Sequence, residues 1–165
     1  MPLLLRRLAL WFAIAGGLAA SMVALLVVTS VTGRAITSLP IQGDVELTQF
    51  GTALAIALCL PWAQLHGSNI IVDFFTQRAR ERTRNVLDAF GALLLAAMVG
   101  LLAWRTAVGA MSVRDAFETT MILGLPMWVT YAVLAPGFAL TAVIALVQAG
   151  LRLAGHPEAE RGMST

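Results

Sequence analysis

Side chains able to do acid–base, nucleophilic or metal chemistry are few in this sequence and lie far apart. A single cysteine, Cys59, excludes a disulfide framework and any multi-cysteine zinc or iron–sulfur site. Two histidines, His66 and His156, are too few and too distant for a multi-haem membrane cytochrome, and they lack paired-histidine metal spacing. There is no glycine-rich phosphate loop and no nucleophile beside a base. Cys59 reads as a small buried residue, and His66 as the wet end of a helix. Glu46 and Asp88 stand at the ends of apolar runs, whereas proton- or ion-coupled transport often needs an acid near the membrane midplane. These residues suit packing and charge pairing. Neither catalysis nor a cofactor is expected.

The elements that position them belong to a membrane. Of 165 residues, 59% are hydrophobic and only 12% charged, and the mean hydropathy is +0.83. A soluble domain is about half apolar and about one quarter charged, so this chain has too few charges to wet a globular surface. All 11 basic residues are arginines, and the net charge of +2 carries no implication of nucleic acid. What matters in a membrane chain is where those arginines sit.

A spanning helix needs about 20 mostly apolar residues, because about 30 Å of hydrocarbon is crossed at about 1.5 Å per residue. We expect an all-α membrane protein whose residues 1–151 form one four-helix domain, with spans at about 8–32, 46–65, 86–108 and 127–149. Residues 152–165 follow as a polar cytoplasmic tail. The third span must include Asp88 and Arg105 near its ends, and Pro126 separates a lead-in from the fourth, in which Pro136 is a candidate kink. Arg6 and Arg7 before an apolar run look like a secretory signal. That run is much longer than the 7–15 residues or so of a signal core, so a retained helix is expected.

With the N-terminus inside, eight arginines (Arg6, Arg7, Arg78, Arg80, Arg82, Arg84, Arg152 and Arg161) are cytoplasmic and three (Arg34, Arg105 and Arg114) are outside. Positive charge favours the inside, and no other placement of four spans gives so large a bias. Trp11 and Trp62 then fall near inner ends, and Trp104 and Trp128 toward outer ones. Both termini are expected in the cytoplasm. Small residues recur at four-residue spacing as Ala13, Gly17 and Ser21, as Gly16, Ala20 and Ala24, and as Ala92, Ala96 and Gly100. Such ridges let helix backbones approach closely in lipid.

The inner connection GSNIIVDFFTQRARERTR, residues 67–84, combines apolar residues with four alternating arginines. That composition suits an interfacial amphipathic helix between spans two and three, anchored to membrane lipids through Arg78, Arg80, Arg82 and Arg84. Asp73 either caps this helix or pairs with a partner's buried arginine. Arg84 and Asp88, four residues apart, are an expected pair. On the outer side, Pro40 and Gly43 turn the chain, and Asp44 and Glu46 open the second helix at the positive end of its dipole. The exposed outer charges Arg34, Asp44, Arg114 and Asp115 are either simply solvated or a docking surface for a protein outside the membrane. Glu46 and Glu118 are expected to be engaged at helix ends.

Several strings together resemble a known family. A glutamate opens the second helix after a polar turn (Glu46), GSNIIVD follows at residues 67–73, and LDAFG at 87–91 precedes Trp104 late in the third span. The strongest piece is ETTMILGLPMWVTYAVLAPGF, residues 118–138, with Thr120, Leu123, Pro126, Trp128, Tyr131, Pro136, Gly137 and Phe138. Over residues 6–151 the chain resembles the small membrane subunit of tripartite ATP-independent periplasmic (TRAP) transporters, the DctQ-like subunits. Asn69 departs from the pattern, since a histidine or basic residue is common there. The resemblance implies a multi-pass protein of the bacterial inner membrane that works with two partners. One is a large TRAP membrane subunit carrying the substrate and sodium sites; the other is a periplasmic substrate-binding protein delivering an organic acid. The small subunit would scaffold the first and help dock the second. The rivals are a stand-alone four-helix exporter, which needs an intramembrane carboxylate that the first span lacks, and a small membrane-bound transferase, which needs clustered arginines at one bundle face.

The arginine bias makes a direct prediction about sidedness. In a Cys59→Ala background, single cysteines placed at Gly43 and Arg114 should react with an impermeant thiol reagent added from the periplasm. Cysteines at Arg80 and Glu160 should react only after the membrane is opened. Labelling of position 80 from the periplasm would mean an inverted chain.

Overall fold

The computed structural model describes residues 2–37, 41–66 and 81–154, with side chains at 3–36, 41–66 and 86–154. Four helices account for nearly all of them: α1 Pro2–Thr37, α2 Asp44–Leu65, α3 Glu81–Asp115 and α4 Met127–Leu153. Each is long and apolar enough to cross a membrane. Helices are what such sequences must form in hydrocarbon, where every backbone N–H and C=O needs an internal partner. The four contain 36, 22, 35 and 27 residues, or about 54, 33, 52 and 40 Å at 1.5 Å per residue. Only α2 is close to the hydrocarbon thickness of about 30 Å; α1 and α3 are long enough to project well beyond it.

Local chemistry explains the ends. Gly43, with φ of 79°, precedes α2 in a left-handed conformation that a side chain would strain. At the other end of α2 the His66 N–H donates to the Trp62 carbonyl, and the two rings lie 4.3 Å apart. α3 ends in a Schellman arrangement in which the Glu118 N–H donates to the Val113 carbonyl and the Phe117 N–H to that of Arg114. The left-handed residue there is Phe117, φ 53°, where glycine is usual. α3 is continuous from Glu81, so Arg82 and Arg84 belong to its first turns. The rest of the expected interfacial helix, including Asp73, Arg78 and Arg80, lies outside the described residues.

The helices stand in an open row in the order α1, α2, α4, α3. Neighbours in the row pack extensively, α1 and α4 meet only slightly, and α3 scarcely touches α1 or α2. Small residues set each close approach. At Gly16 of α1 a methyl group would sit 2.7 Å from Cys59 Sγ and 3.0 Å from the Ala55 carbonyl. At Gly137 of α4 it would strike the carbonyl of Ala57, a backbone atom that cannot yield. Across the last interface, α3 buries Ala89, Ala92 and Ala96, and Gly100 faces Ala142 of α4. The ridge through Ala92, Ala96 and Gly100 is thus the one that meets α4. On α1 it is Gly16 that meets α2, while Gly17 has nothing within 4 Å.

The end carrying the α1 N-terminus and the C-termini of α2 and α4, here called the lower end, holds the main apolar cluster. Ala9, Leu65 and Ile144 are buried there, with Trp62, Leu140, Val147 and Leu151 packed around them. Beside the cluster, Gln64 and Gln148 are both buried and clasp each other. Gln64 Nε2 donates to Gln148 Oε1 at 2.8 Å, and Gln148 Nε2 donates to the Gln64 carbonyl at 3.0 Å. Between α3 and α4, Arg152 pairs with Asp88 at 3.1 Å. The side chain of Arg84, the partner expected for Asp88, lies outside the described residues.

The glutamine clasp predicts non-additive energetics. Replacing Gln148 with Leu strands the Gln64 amide in an apolar setting, which should cost about 1–2 kcal/mol of stability in detergent. The double variant Gln64→Leu/Gln148→Leu should cost less than the sum of the two single changes, because it leaves no unpaired amide. Strict additivity in an unfolding titration would show that the pair is not coupled.

Candidate functional site

The upper end, opposite the apolar cluster, gathers the charges and the irregular backbone. Asp44, the first residue of α2, is shared three ways. Its Oδ1 accepts the N–H of Val45 at 2.8 Å. Its Oδ2 accepts hydrogen bonds from the hydroxyl of Ser30 and from Nη2 of Arg34, the latter at 3.3 Å. Ser30 itself is buried, so this contact bolts the end of α1 to the start of α2. The Arg34 side chain is 59% exposed and that of Asp44 only 19%. An ion pair this open to solvent is screened and holds only weakly. The buried hydroxyl fixes the position of Asp44 more firmly than the arginine does.

Two residues further on, Glu46 turns the other way. Its Oε1 accepts the Ile122 N–H at 2.9 Å and its Oε2 accepts the Leu123 N–H at 3.2 Å. One carboxylate therefore grips two consecutive amides of the loop between α3 and α4. The loop is also closed from within. Thr119 and Pro126 form an isolated bridge, the Met127 N–H donates to the Glu118 carbonyl at 3.1 Å, and the Thr120 N–H donates to that of Leu125 at 2.9 Å. The hydroxyl of Thr120 accepts the Leu125 N–H at 3.0 Å. Gly124 makes the turn with φ of 65°, and Leu123 lies directly over Gly43, where any side chain would collide with it. The outcome is a braced cap seated on the start of α2, with Met121 at its tip 99% exposed.

These contacts place the residues singled out from the sequence. Arg34 and Asp44 come together across α1 and α2. Arg114 sits over the Trp128 ring, 5.5 Å from its centroid, a cation–π arrangement that ties the end of α3 to the start of α4. Asp115 is exposed as the last residue of α3. The four form two patches, since α3 does not pack on α1 or α2. Glu46 stands in the first turn of α2 as expected and also serves the cap, and Glu118 enters the cap through its main chain. Of the strongest family-like string, Thr120 closes the cap, Leu123 covers Gly43, Pro126 leads into α4, Trp128 receives Arg114 and Tyr131 lies against Gly109. The clasp of Gln64 with Gln148 and the pair of Asp88 with Arg152 emerge only in the folded molecule. A lone glutamine deep in the last apolar run was the available signal for the first. Among the described residues no group of three or more His, Cys, Asp or Glu could hold a metal ion.

Four apolar helices, each able to span a bilayer, with polar contacts concentrated at their two ends, define a multi-pass membrane protein. The family model described as "Tripartite ATP-independent periplasmic transporters, DctQ component" matches residues 22–155, and the chain belongs to that family. It is thus the small membrane component of a TRAP transporter and not an enzyme. No curated protein and no solved structure matches it.

The cap yields a further prediction. Glu46→Ala removes both acceptors of the Ile122 and Leu123 amides, so amide hydrogen exchange at 120–125 should accelerate while α2 and α4 stay protected. Glu46→Gln keeps one carbonyl acceptor and should fall between. Unchanged exchange in the alanine variant would mean that the cap holds without its carboxylate.

Proposed function

We propose that this protein is the small membrane subunit of a sodium-coupled organic-acid uptake system in the bacterial inner (plasma) membrane. It scaffolds the large TRAP membrane subunit and helps dock the periplasmic substrate-binding protein. The family match over residues 22–155 carries this reading. The placement of charge supports it, since Asp44, Glu46 and Asp88 stand toward helix ends in contacts that join one helix to another or to the cap. In this orientation the lower end is cytoplasmic and the capped upper end faces the periplasm, as the arginine distribution favours. Arg78, Arg80, Arg82 and Arg84, with Asp73, anchor the inner connection to lipid headgroups, each arginine near an anionic surface contributing about 1 kcal/mol. Arg34, Asp44, Arg114 and Asp115 offer the binding protein charged contacts. Such contacts speed encounter and release readily, as a repeatedly used transient interface requires.

Reconstitution tests the proposal. In liposomes with a sodium gradient, the small subunit alone should take up no organic acid. Uptake should appear when the large subunit and the binding protein are added, and should vanish when the small subunit is omitted. Sodium-driven uptake by the small subunit alone would overturn the reading. Reversing Arg34 and Arg114 together should slow uptake when binding protein is limiting and spare it when binding protein is in excess, because an encounter defect yields to concentration.

A further inference from the structure

Composition places Arg105 toward the outer end of the third span, but the packing of the row sets it deeper. Gly100 of α3 faces Ala142 of α4 and Gly109 faces Tyr131, a methyl group at either glycine coming within 3.8 Å of that neighbour. Arg105 lies between the two glycines and is therefore level with Pro136 and Gly137 of α4. Gly137 in turn stands against the Ala57 carbonyl of α2. α2 is the shortest of the four helices, from Asp44 to Leu65, and nearly its whole length is needed to cross about 30 Å of hydrocarbon. Ala57 stands about 20 Å below Asp44 and about 12 Å above Leu65, at 1.5 Å per residue. Arg105 is thus close to the middle of the membrane.

The residue is exposed there. α3 meets α4 through Ala92, Ala96 and Gly100 and scarcely touches α1 or α2, so Arg105 looks out of the row, with Leu101, Leu102, Trp104 and Val108 exposed around it. Among the described residues no ion pair or hydrogen bond engages it. The acids whose side chains are described, Asp44, Glu46, Asp88, Asp115 and Glu118, lie toward helix ends or in the cap. A bare guanidinium at mid-membrane is costly, and charges at that depth normally face a partner or a wet cavity. Snorkelling serves residues near helix ends. α3 rises from the lower end to the upper, and Cα–Cβ bonds tilt toward a helix N-terminus, so the Arg105 side chain leans away from the upper headgroups. Nor does a second copy of this chain supply the acid. In an isologous pair the same flank meets itself and brings one Arg105 toward the other. What the flank lacks is a carboxylate at mid-depth, carried by a different membrane chain.

We propose that the Arg105 flank of α3 is a contact surface for the large membrane subunit, and that a spanning helix of that subunit presents an Asp or Glu carboxylate to Arg105. The inference rests on the proposed function for the existence of that partner. A guanidinium offers a carboxylate two parallel hydrogen bonds, and Leu101 and Val108, one turn to either side, pack on the incoming helix. The test expresses the full chain together with its large membrane subunit, with photoreactive benzoylphenylalanine placed at Leu101 or Val108, or at Leu18 or Met22 on the open face of α1. Positions 101 and 108 should crosslink the large subunit far more strongly than positions 18 and 22, and the crosslinked peptide should contain an acid within a spanning segment. Arg105→Leu should lower the co-purifying large subunit at least about tenfold, because it strands the facing carboxylate. Arg105→Lys should retain most of it, and either variant expressed alone should reach the membrane at the wild-type level. Crosslinks from α1 but not α3, or from α3 to a second copy only, while the large subunit still co-purifies, would overturn this assignment and leave the proposed function standing. Crosslinks from α3 to a helix without an acid, with co-purification unmoved by Arg105→Leu, would leave Arg105 to lipid phosphates and overturn the pairing. A wild-type chain that captures no large subunit would overturn the proposed function along with it.

Discussion

Backbone hydrogen bonds with no water to replace them constrain this whole molecule. In hydrocarbon each unpaired N–H or C=O costs several kcal/mol, so long stretches of the chain close into helices whose backbone partners are internal. The one irregular stretch described in full, between α3 and α4, is exposed at the upper end, yet there too the amides find partners within the chain. There a threonine hydroxyl, a bridge and two glutamate oxygens take up the amides that a helix would have paired. Glu46 matters because it supplies two acceptors at a place where the backbone has run out of its own.

Once the backbone is satisfied, burial of apolar surface no longer brings helices together, since lipid is as apolar as leucine. Contact is then governed by how near two backbones can come and by which polar groups can reach across. Gly16 and Gly137 open the first route at the α1–α2 and α2–α4 crossings. Ser30 with Asp44, Gln64 with Gln148 and Asp88 with Arg152 take the second. Those three polar contacts fall on the three interfaces of the row in turn, and they lie at or near helix ends. The outward faces of α1 and α3 remain apolar and open, as Leu18, Met22, Leu25, Phe90, Met98 and Leu101 illustrate. A row with two open flanks suits a component of a larger membrane assembly.

Much was legible in the residues alone. The number of helices follows from runs of apolar residues set against a fixed bilayer thickness, and the all-helical class follows from hydrocarbon itself. The string at 118–138 and the glutamate opening α2 pointed to the family that the match at 22–155 confirms. The two are also partners in space, Glu46 gripping the amides of Ile122 and Leu123. Nothing in a one-dimensional pattern could supply that link, because residues 76 positions apart meet only after α4 has packed on α2.

What the sequence determined by itself is therefore what depends on local composition and a one-dimensional length: membrane residence, helices, their number and the family. What only the tertiary structure decided is neighbourhood. Apolar residues surround each of these helices on nearly every side, so hydropathy marks no inward face. The row order, the turn of Glu46 toward the cap, the pairing of Gln64 with Gln148 and the gap between α1 and α4 all hang on which small residue meets which backbone. That choice is made by shape complementarity between helices, and it leaves no periodic trace in an evenly apolar chain.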